Sequence, residues 1–331
     1  MTSDRAAVTA DDRTVGTGRA HGKVVLLGEH AVVHGMPAIA VPLPALTVTA
    51  CARIAPNATP VSMPGADLLC GRVFRCPAPP GSTVANSGPQ VAAEQALKRW
   101  KPVGGPVEIR LVGDIPVARG LGSSAAYAAA AVRAVADLCG EFDDPDTLYE
   151  LVQYGEQLAH GRASGVDARA VLAAGPIWFQ HGIAHPINTG LDATFVVADS
   201  GIASGTRQAV TAVRAEFDRR PLRARRLLDW AREITEAAAQ DLADGDAPAL
   251  GAELTDFQAV LTELGVSTAE IDRLIAVARQ AGALGAKLTG GGLGGCILAL
   301  TAGPAEAEVV STALRTAGAT QTWTFTTGDR P

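Results

Sequence analysis

The sequence predicts two domains, each mixing helices with strands, and three observations carry that expectation. At roughly 150 residues per domain, a chain of 331 residues is about two domains long. Strand-like runs, one of them rich in Val, Ile and Thr, accompany two helical segments before residue 190, whereas helix-period patterns dominate from Thr206 onward. With 36 glycines, the chain holds about 11% against a usual ~7%, and the excess gathers in short segments beside strands. Apolar residues make up 47% and charged residues 19%, enough to bury a large core. The chain is therefore divided into a flexible polar tail over 1–17, a first domain over 18–190 and a second over 191–331.

The elements follow in order. Val24–Leu27 is a short apolar run entering a Gly-Glu-His turn, and Ala38–Ile54 is strand material. Pro77–Pro89 holds four prolines and two glycines and reads as a surface loop. Val107–Val112 alternates apolar and charged residues, as a half-buried strand does. Ala125–Leu138, dominated by the best helix former, is a helix. Pro145–His160 is another, with proline in its first turn. Ile177–Phe179 and Thr194–Val197 are strand-like, with His181 and His185 in a hairpin. Beyond Thr206, Leu227, Ala231, Ile234 and Ala238 share one helical face. Ser267 and Glu270 have the spacing of a capping box, and Gly282 stands where a C-cap belongs. Cys296–Leu300 is a strand, Pro304–Ala317 a helix ending at Gly318, and Gln321–Thr326 a last strand.

Composition narrows the function. The net charge of -6 comes without a basic stripe, so no nucleic-acid partner is expected. The run Arg219–Arg226 reads as a solvated face. The apolar stretch Ala125–Val132 is too short to span a bilayer, and no membrane partner is expected. Asp4, Asp11 and Asp12 occupy an N-terminus without an apolar core, so no secretory signal is read. Five cysteines, none in a CxxC pair, fit a reduced, cytoplasmic setting.

Three segments carry chemistry. Gly120-Leu121-Gly122-Ser123-Ser124-Ala125-Ala126-Tyr127 joins a strand to the Ala-rich helix. Glycines let backbone N–H groups approach an anion, and a helix N-terminus adds free donors and a positive dipole end. No lysine follows the glycines, so this is not a Walker A loop, and a tight turn capped by serine fits the local pattern equally well. Lys287-Leu288-Thr289-Gly290-Gly291-Gly292-Leu293-Gly294-Gly295 leads straight into a strand, which argues against a linker. His21-Gly22-Lys23 through Gly28-Glu29-His30 places a lysine early in a strand and a Glu-His pair at its end. Glu156 and Asp167 add two carboxylates of the kind that magnesium or a phosphoryl acceptor uses. Each feature taken singly also suits a surface or a turn.

Taken together, from about Arg19 to Phe325, these segments resemble the GHMP kinase family. Gly22–Gly35, Gly120–Tyr127 and His160–Asp167 point within it to the mevalonate kinase branch. The resemblance implies an N-terminal α/β lobe and a C-terminal α+β (ferredoxin-like) lobe, with ATP and substrate held between them. It implies that Pro116, Gly120, Leu121, Gly122, Ser123, Ser124 and Ala125 wrap the ATP phosphates, supported by Gly290, Gly291 and Gly292. Ser124 and Glu156 would bind Mg2+, Asp167 would act on the acceptor hydroxyl, and Lys23 would assist it. Lys23, Glu29, His30, Tyr127, Asp167 and Thr206 would contact mevalonate or the transferred phosphate. The implied reaction is transfer of the ATP γ-phosphate to the C5 hydroxyl of (R)-mevalonate, in a protein that is a homodimer.

Phosphomevalonate kinase and diphosphomevalonate decarboxylase are the rival readings within the family, and a non-catalytic nucleotide-binding regulator is the rival outside it. Lys23, Glu156 and Asp167 occurring together argues against the regulator. The sequence departs from the family pattern at His21, Ala163, Arg119 and Trp178. Arg119 stands where a smaller residue is common. Arg162 and Arg169 are the candidates to meet the substrate carboxylate.

Overall fold

The computed structural model describes residues 14–55, 72–76, 87–141, 144–160 and 163–329. These residues form two units that interleave along the chain, one drawn from 1–20, 47–114 and 124–161, the other from 21–46, 115–123 and 162–331.

The first unit begins with strand β1 (Val15–Leu27). The last three residues of the expected polar tail are therefore strand, and residues 1–13 lie outside the described residues. The reason is tertiary. Helix α2 (Ser123–Leu138) lies against β1 so closely that a Cβ on Gly16 would meet the Leu138 nitrogen at 2.2 Å. A Cβ on Gly18 would meet the Ala130 carbonyl oxygen at the same distance. The Thr17 N–H donates to Asp137 at 2.8 Å and fixes the register of that approach. Nearly every residue of α2 from Ala125 to Ala136 is buried.

Strand β2 (Ala38–Ile54) pairs over its second half with β4 (Val107–Gly113), and β4 also pairs with β3 (Arg72–Cys76), all antiparallel. The alternation expected of β4 is present: Val107, Ile109 and Leu111 are buried, while Arg110 and Val112 are exposed. Arg53 faces Glu108 across the ladder and pairs with it at 2.8 Å.

Helix α1 (Gly88–Trp100) takes the last two residues of the stretch expected to be loop, and Pro89 opens it as a residue that needs no N–H donor there. Residues 77–86 of that stretch lie outside the described residues. Helix α3 (Pro145–His160) has the predicted bounds and packs on α1.

In the second unit the first residues of β2 pair with β5 (Ile177–Gln180), which continues as a hairpin into β6 (Ile183–Pro186). The turn places His181 and Gly182 both at positive φ, the backbone of a two-residue hairpin loop. The short helix α4 (Val166–Ala170) sets Val166 and Ala170 against Ala38, Ala40, Ile177 and Phe179.

A four-stranded antiparallel sheet follows, ordered β10 (Gln321–Phe325), β7 (Thr194–Asp199), β9 (Cys296–Thr301), β8 (Gly285–Thr289). The inner strands are buried on both faces. Helices α8 (Ala269–Gln280) and α9 (Pro304–Thr316) pack on this sheet. Helix α5 (Thr206–Arg219) leads to α6 (Pro221–Asp244), which packs on α7 (Ala247–Glu263) through a buried stripe including Leu227, Ala231, Ile234 and Ala238. The cap of α8 differs from the expected box by one residue. Thr268, not Ser267, accepts from the Ile271 N–H, and Ser267 donates to Asp272 instead. Glu270 is drawn to Arg273 on the same helix surface.

Candidate active site

Lys23 lies on β1 with only 2% of its side chain exposed. Its ammonium donates to the Gly120 carbonyl at 3.1 Å and pairs with Asp167 Oδ1 at 2.8 Å. Its own N–H is held by the Leu121 carbonyl at 3.0 Å, so backbone and side chain are fixed by the same loop. Asp167 stands in the first turn of α4 and is 39% exposed. The N-cap of α4 is Gly165, at φ 96°, so the Asp167 carboxylate does not serve as the cap. The result is a buried cation aimed at a carboxylate that solvent and ligands can reach.

The loop before α2 is built on bare backbone. Gly120 (φ 81°) approaches Thr289 and Gly290 so closely that a Cβ on Gly120 would meet the Thr289 carbonyl at 2.8 Å. The two glycine-rich segments of the sequence therefore touch each other, which explains their cost in flexibility. Arg119 locks the loop from its other side. Its guanidinium pairs with Asp199 at 2.9 Å and donates to the Gly201 carbonyl at 3.2 Å. The Ser204 N–H holds the Ala118 carbonyl. The larger residue at 119 is thus used as a strap. Pro116 is half-buried and Leu121 fully buried along the same segment. Thr206 opens α5 and shares a hydrogen-bonding contact with Ser204, which also donates to the Gly292 carbonyl. Gly291 lies directly against Thr206.

The Glu29–His30 corner is buried. Glu29 Oε1 forms an ion pair with Lys287, whose side chain has no solvent exposure. Burial pushes the Glu29 carboxyl up, and the Lys287 charge opposes this. Burial likewise pushes the Lys287 ammonium down, against the pull of Glu29. His30 adopts φ 61°, unusual for a side chain of its size. Its ring nitrogen Nε2 lies 3.1 Å from the Gly291 carbonyl. A carbonyl only accepts, so Nε2 carries the proton and Nδ1 is a bare lone pair. Burial lowers the His30 pKa to about 4. Glu29 Oε2 and His30 Nδ1 are both buried without a hydrogen-bond partner.

The sequence reading placed Lys287 at the head of the glycine-rich segment but gave it no role. Its only local sign was a lysine two residues before the glycine-rich run, a position that solvent would equally suit.

In the first unit, Ser124 at the start of α2 donates to Glu156 Oε1 at 2.5 Å. Glu156 is buried on α3, with only 5% exposure. Ser123 is the first residue of α2, and Ala125 is buried behind it. A hydroxyl and a buried carboxylate are the hard oxygen donors that suit Mg2+, which takes few protein ligands and keeps water and phosphate oxygens. Among the described residues, no group of three or more His, Cys, Asp or Glu is arranged to hold a metal ion. Tyr127, one turn along α2, donates its hydroxyl to the Gly113 carbonyl at 3.2 Å. Arg162 lies outside the described residues.

Two family models match the chain, GHMP kinases N terminal domain over residues 89–175 and GHMP kinases C terminal over 236–320. A mevalonate kinase of Aeropyrum pernix is 33% identical over 290 residues, covering 85% of this chain and 87% of that protein. The chain belongs to the GHMP kinase family. A second GHMP kinase relative, the mevalonate kinase of Pyrococcus horikoshii, is 32% identical over 317 residues, covering 90% of this chain and 92% of its own. Among solved GHMP kinase structures, L. major mevalonate kinase in complex with R-mevalonate superposes with a TM-score of 0.76 at 25% identity. That alignment covers 93% of this chain and 95% of the other. Like its family, the chain is an α/β and α+β kinase. No helix among its described residues is long and apolar enough to cross a membrane.

Proposed function

We propose that this GHMP kinase phosphorylates the C5 hydroxyl of (R)-mevalonate at the expense of ATP. The observation that carries the reading is the Lys23–Asp167 pair, a buried ammonium 2.8 Å from a half-open carboxylate. Phosphoryl transfer passes through a loose transition state, so catalysis is mainly positioning and charge stabilisation. Asp167 orients the acceptor hydroxyl and takes its proton as the new P–O bond forms and the bond from the γ-phosphorus to the bridging oxygen breaks, that oxygen leaving on ADP. Lys23 holds the carboxylate in place and offers positive charge to the transferring group.

The loop Pro116–Ala125 would present backbone N–H groups to the phosphates, with Gly290–Gly292 and Thr206 bracing it. Ser124 and Glu156 would hold Mg2+, which neutralises charge on the phosphates when bound. The bare acceptors Glu29 Oε2 and His30 Nδ1 suit a substrate that donates hydroxyl hydrogens. Mevalonate carries two hydroxyls. Tyr127 completes the substrate contacts in this reading. The family lobes would divide near residue 190. The setting would be the cytoplasm, in line with cysteines that form no CxxC pair, and the protein a homodimer.

The relatives favour mevalonate over its phosphorylated product, since both of those cited above are mevalonate kinases matched over most of their length. ADP release with ATP, Mg2+ and a panel of mevalonate and phosphomevalonate tests the assignment. Turnover with mevalonate is expected; turnover with phosphomevalonate alone would replace it by the rival.

A further inference from the structure

Lys287 sits in the middle of β8 between Ala286 and Leu288, all three buried. Its ammonium meets Glu29 Oε1 and lies 5.6 Å from the centre of the Phe257 ring. A pair this deep is a poor device for stability alone, because desolvating two ions commonly costs as much as their attraction returns. Two further observations indicate what the pair does.

Alternate residues of a strand share a face, and Thr289, two residues from Lys287, also reaches β1. Its hydroxyl accepts from the Val25 N–H and donates to the Val25 carbonyl. The end of β1 is thus gripped at Val25, and the turn after it at Glu29. In addition, the grip at Glu29 occupies one carboxylate oxygen and leaves Oε2 without a partner, in the residue preceding His30, whose Nδ1 is equally bare.

We infer that Lys287 is a positioning residue for the phosphoryl acceptor: by tying Oε1 of Glu29 it presents Oε2 as a fixed acceptor for a substrate hydroxyl. The inference rests on the reading of Glu29 and His30 as partners of the alcohol substrate. Without the ammonium, a carboxyl this buried takes up a proton or turns to another cation. Either change removes the lone pair from where the hydroxyl needs it. The nucleotide loop is held by other groups, Lys23, Arg119 and Gly290. The effect of losing Lys287 therefore falls on the acceptor rather than on ATP.

The test compares wild type, Lys287→Met and the double variant Lys287→Met/Glu29→Gln, with mevalonate and ATP varied separately and thermal unfolding followed in parallel. Lys287→Met should raise the KM for mevalonate about tenfold or more, the scale of one charge-assisted hydrogen bond, with the KM for ATP within about twofold. The double variant has no unpaired buried charge, so its Tm returns toward that of wild type while the mevalonate KM stays high. Should Lys287→Met fail to accumulate as folded protein, the double variant carries the comparison. If the double variant recovers both Tm and mevalonate KM, the pair is fold glue and the inference is wrong. An equal rise in the KM for ATP overturns it as well. A wild type that leaves mevalonate untouched removes the functional reading, and this inference with it, before any variant is compared.

Discussion

Replacing Asp167 by Asn separates what the Lys23–Asp167 pair does for folding from what it does for chemistry. The amide matches the carboxylate in shape, so its oxygen can still accept from Lys23 at the 2.8 Å position. Only the charge is lost. Breaking a fully buried pair costs about 3–5 kcal/mol, and an exposed one contributes about 0–1 kcal/mol. Here Lys23 is buried but Asp167 is 39% exposed. With the hydrogen bond retained, a cost of about 1–2 kcal/mol follows. No helix cap is lost, since Gly165 occupies that position. At roughly 2–4 °C per kcal/mol for a large domain, Tm should fall by a few degrees only.

The loss of a general base costs about 10²–10⁴ in rate, or about 3–5 kcal/mol of barrier. The two scales do not overlap. Thermal unfolding, ATP affinity and steady-state ADP release on the same preparation distinguish them. The expected result is a folded variant that binds ATP normally and turns over at least a hundredfold more slowly. Turnover within tenfold of wild type would refute the role given to Asp167 and reduce its pair with Lys23 to a structural contact.

Glu156→Gln should keep its hydrogen bond from Ser124 yet raise the Mg2+ concentration needed for half-maximal rate; an unchanged Mg2+ titration speaks against a metal role for this carboxylate. Gly18→Ala should cost several kcal/mol, because its Cβ has nowhere to go beside the Ala130 carbonyl, and a Tm within about 2 °C of wild type would mean that β1 moves freely on α2. His30 makes stability pH-dependent with a definite sign. Its folded pKa is about 4 against 6.5 in the unfolded chain, so its contribution is complete above pH 6.5 and is lost as pH falls toward 4. His34, lowered in the same direction, adds to that trend. Tm measured from pH 7 to pH 4.5 should decline less steeply in His30→Gln, and identical slopes would show that other groups set the acid limb.

Much of the architecture was legible locally. Pro145–His160, Ala38–Ile54, Val107–Val112 and Cys296–Leu300 carry their own period, start signals and stop signals, and each emerges near its expected bounds. The misses share a cause. Gly16 and Thr17 resemble tail composition until α2 is laid against them. Gly88 and Pro89 look like the end of a loop until the helix they open is seen. Ser267 and Thr268 offer two hydroxyls for one cap, and side-chain competition for Asp272 decides which is used.

The chemistry divides the same way. Lys23, Glu29, His30, Ser124, Glu156 and Asp167 stand out by residue type within glycine-marked segments. The partnership of Lys287 with Glu29 spans 258 positions and is visible only through burial. Arg119 was noticed as unusual, but its purpose depended on Asp199 being opposite.

Helix α2 is enclosed nearly all round, and its enclosing neighbours come within backbone distance because half of its residues, and most of its middle, are alanine. Such a helix has no spare room for evolutionary drift. A surface helix can exchange residues on its wet side, and a leucine-rich core can trade one bulky shape for another. Here the smallest side chain above glycine already fills the space. In a library of all single substitutions, the block from Ala128 to Ala136 should be intolerant wherever an alanine stands, although none of those alanines has a reactive group. Intolerance in this stretch would record spatial exclusion, so a mutational map of the protein would show its deepest scar beside, and not upon, the residues proposed to handle phosphate.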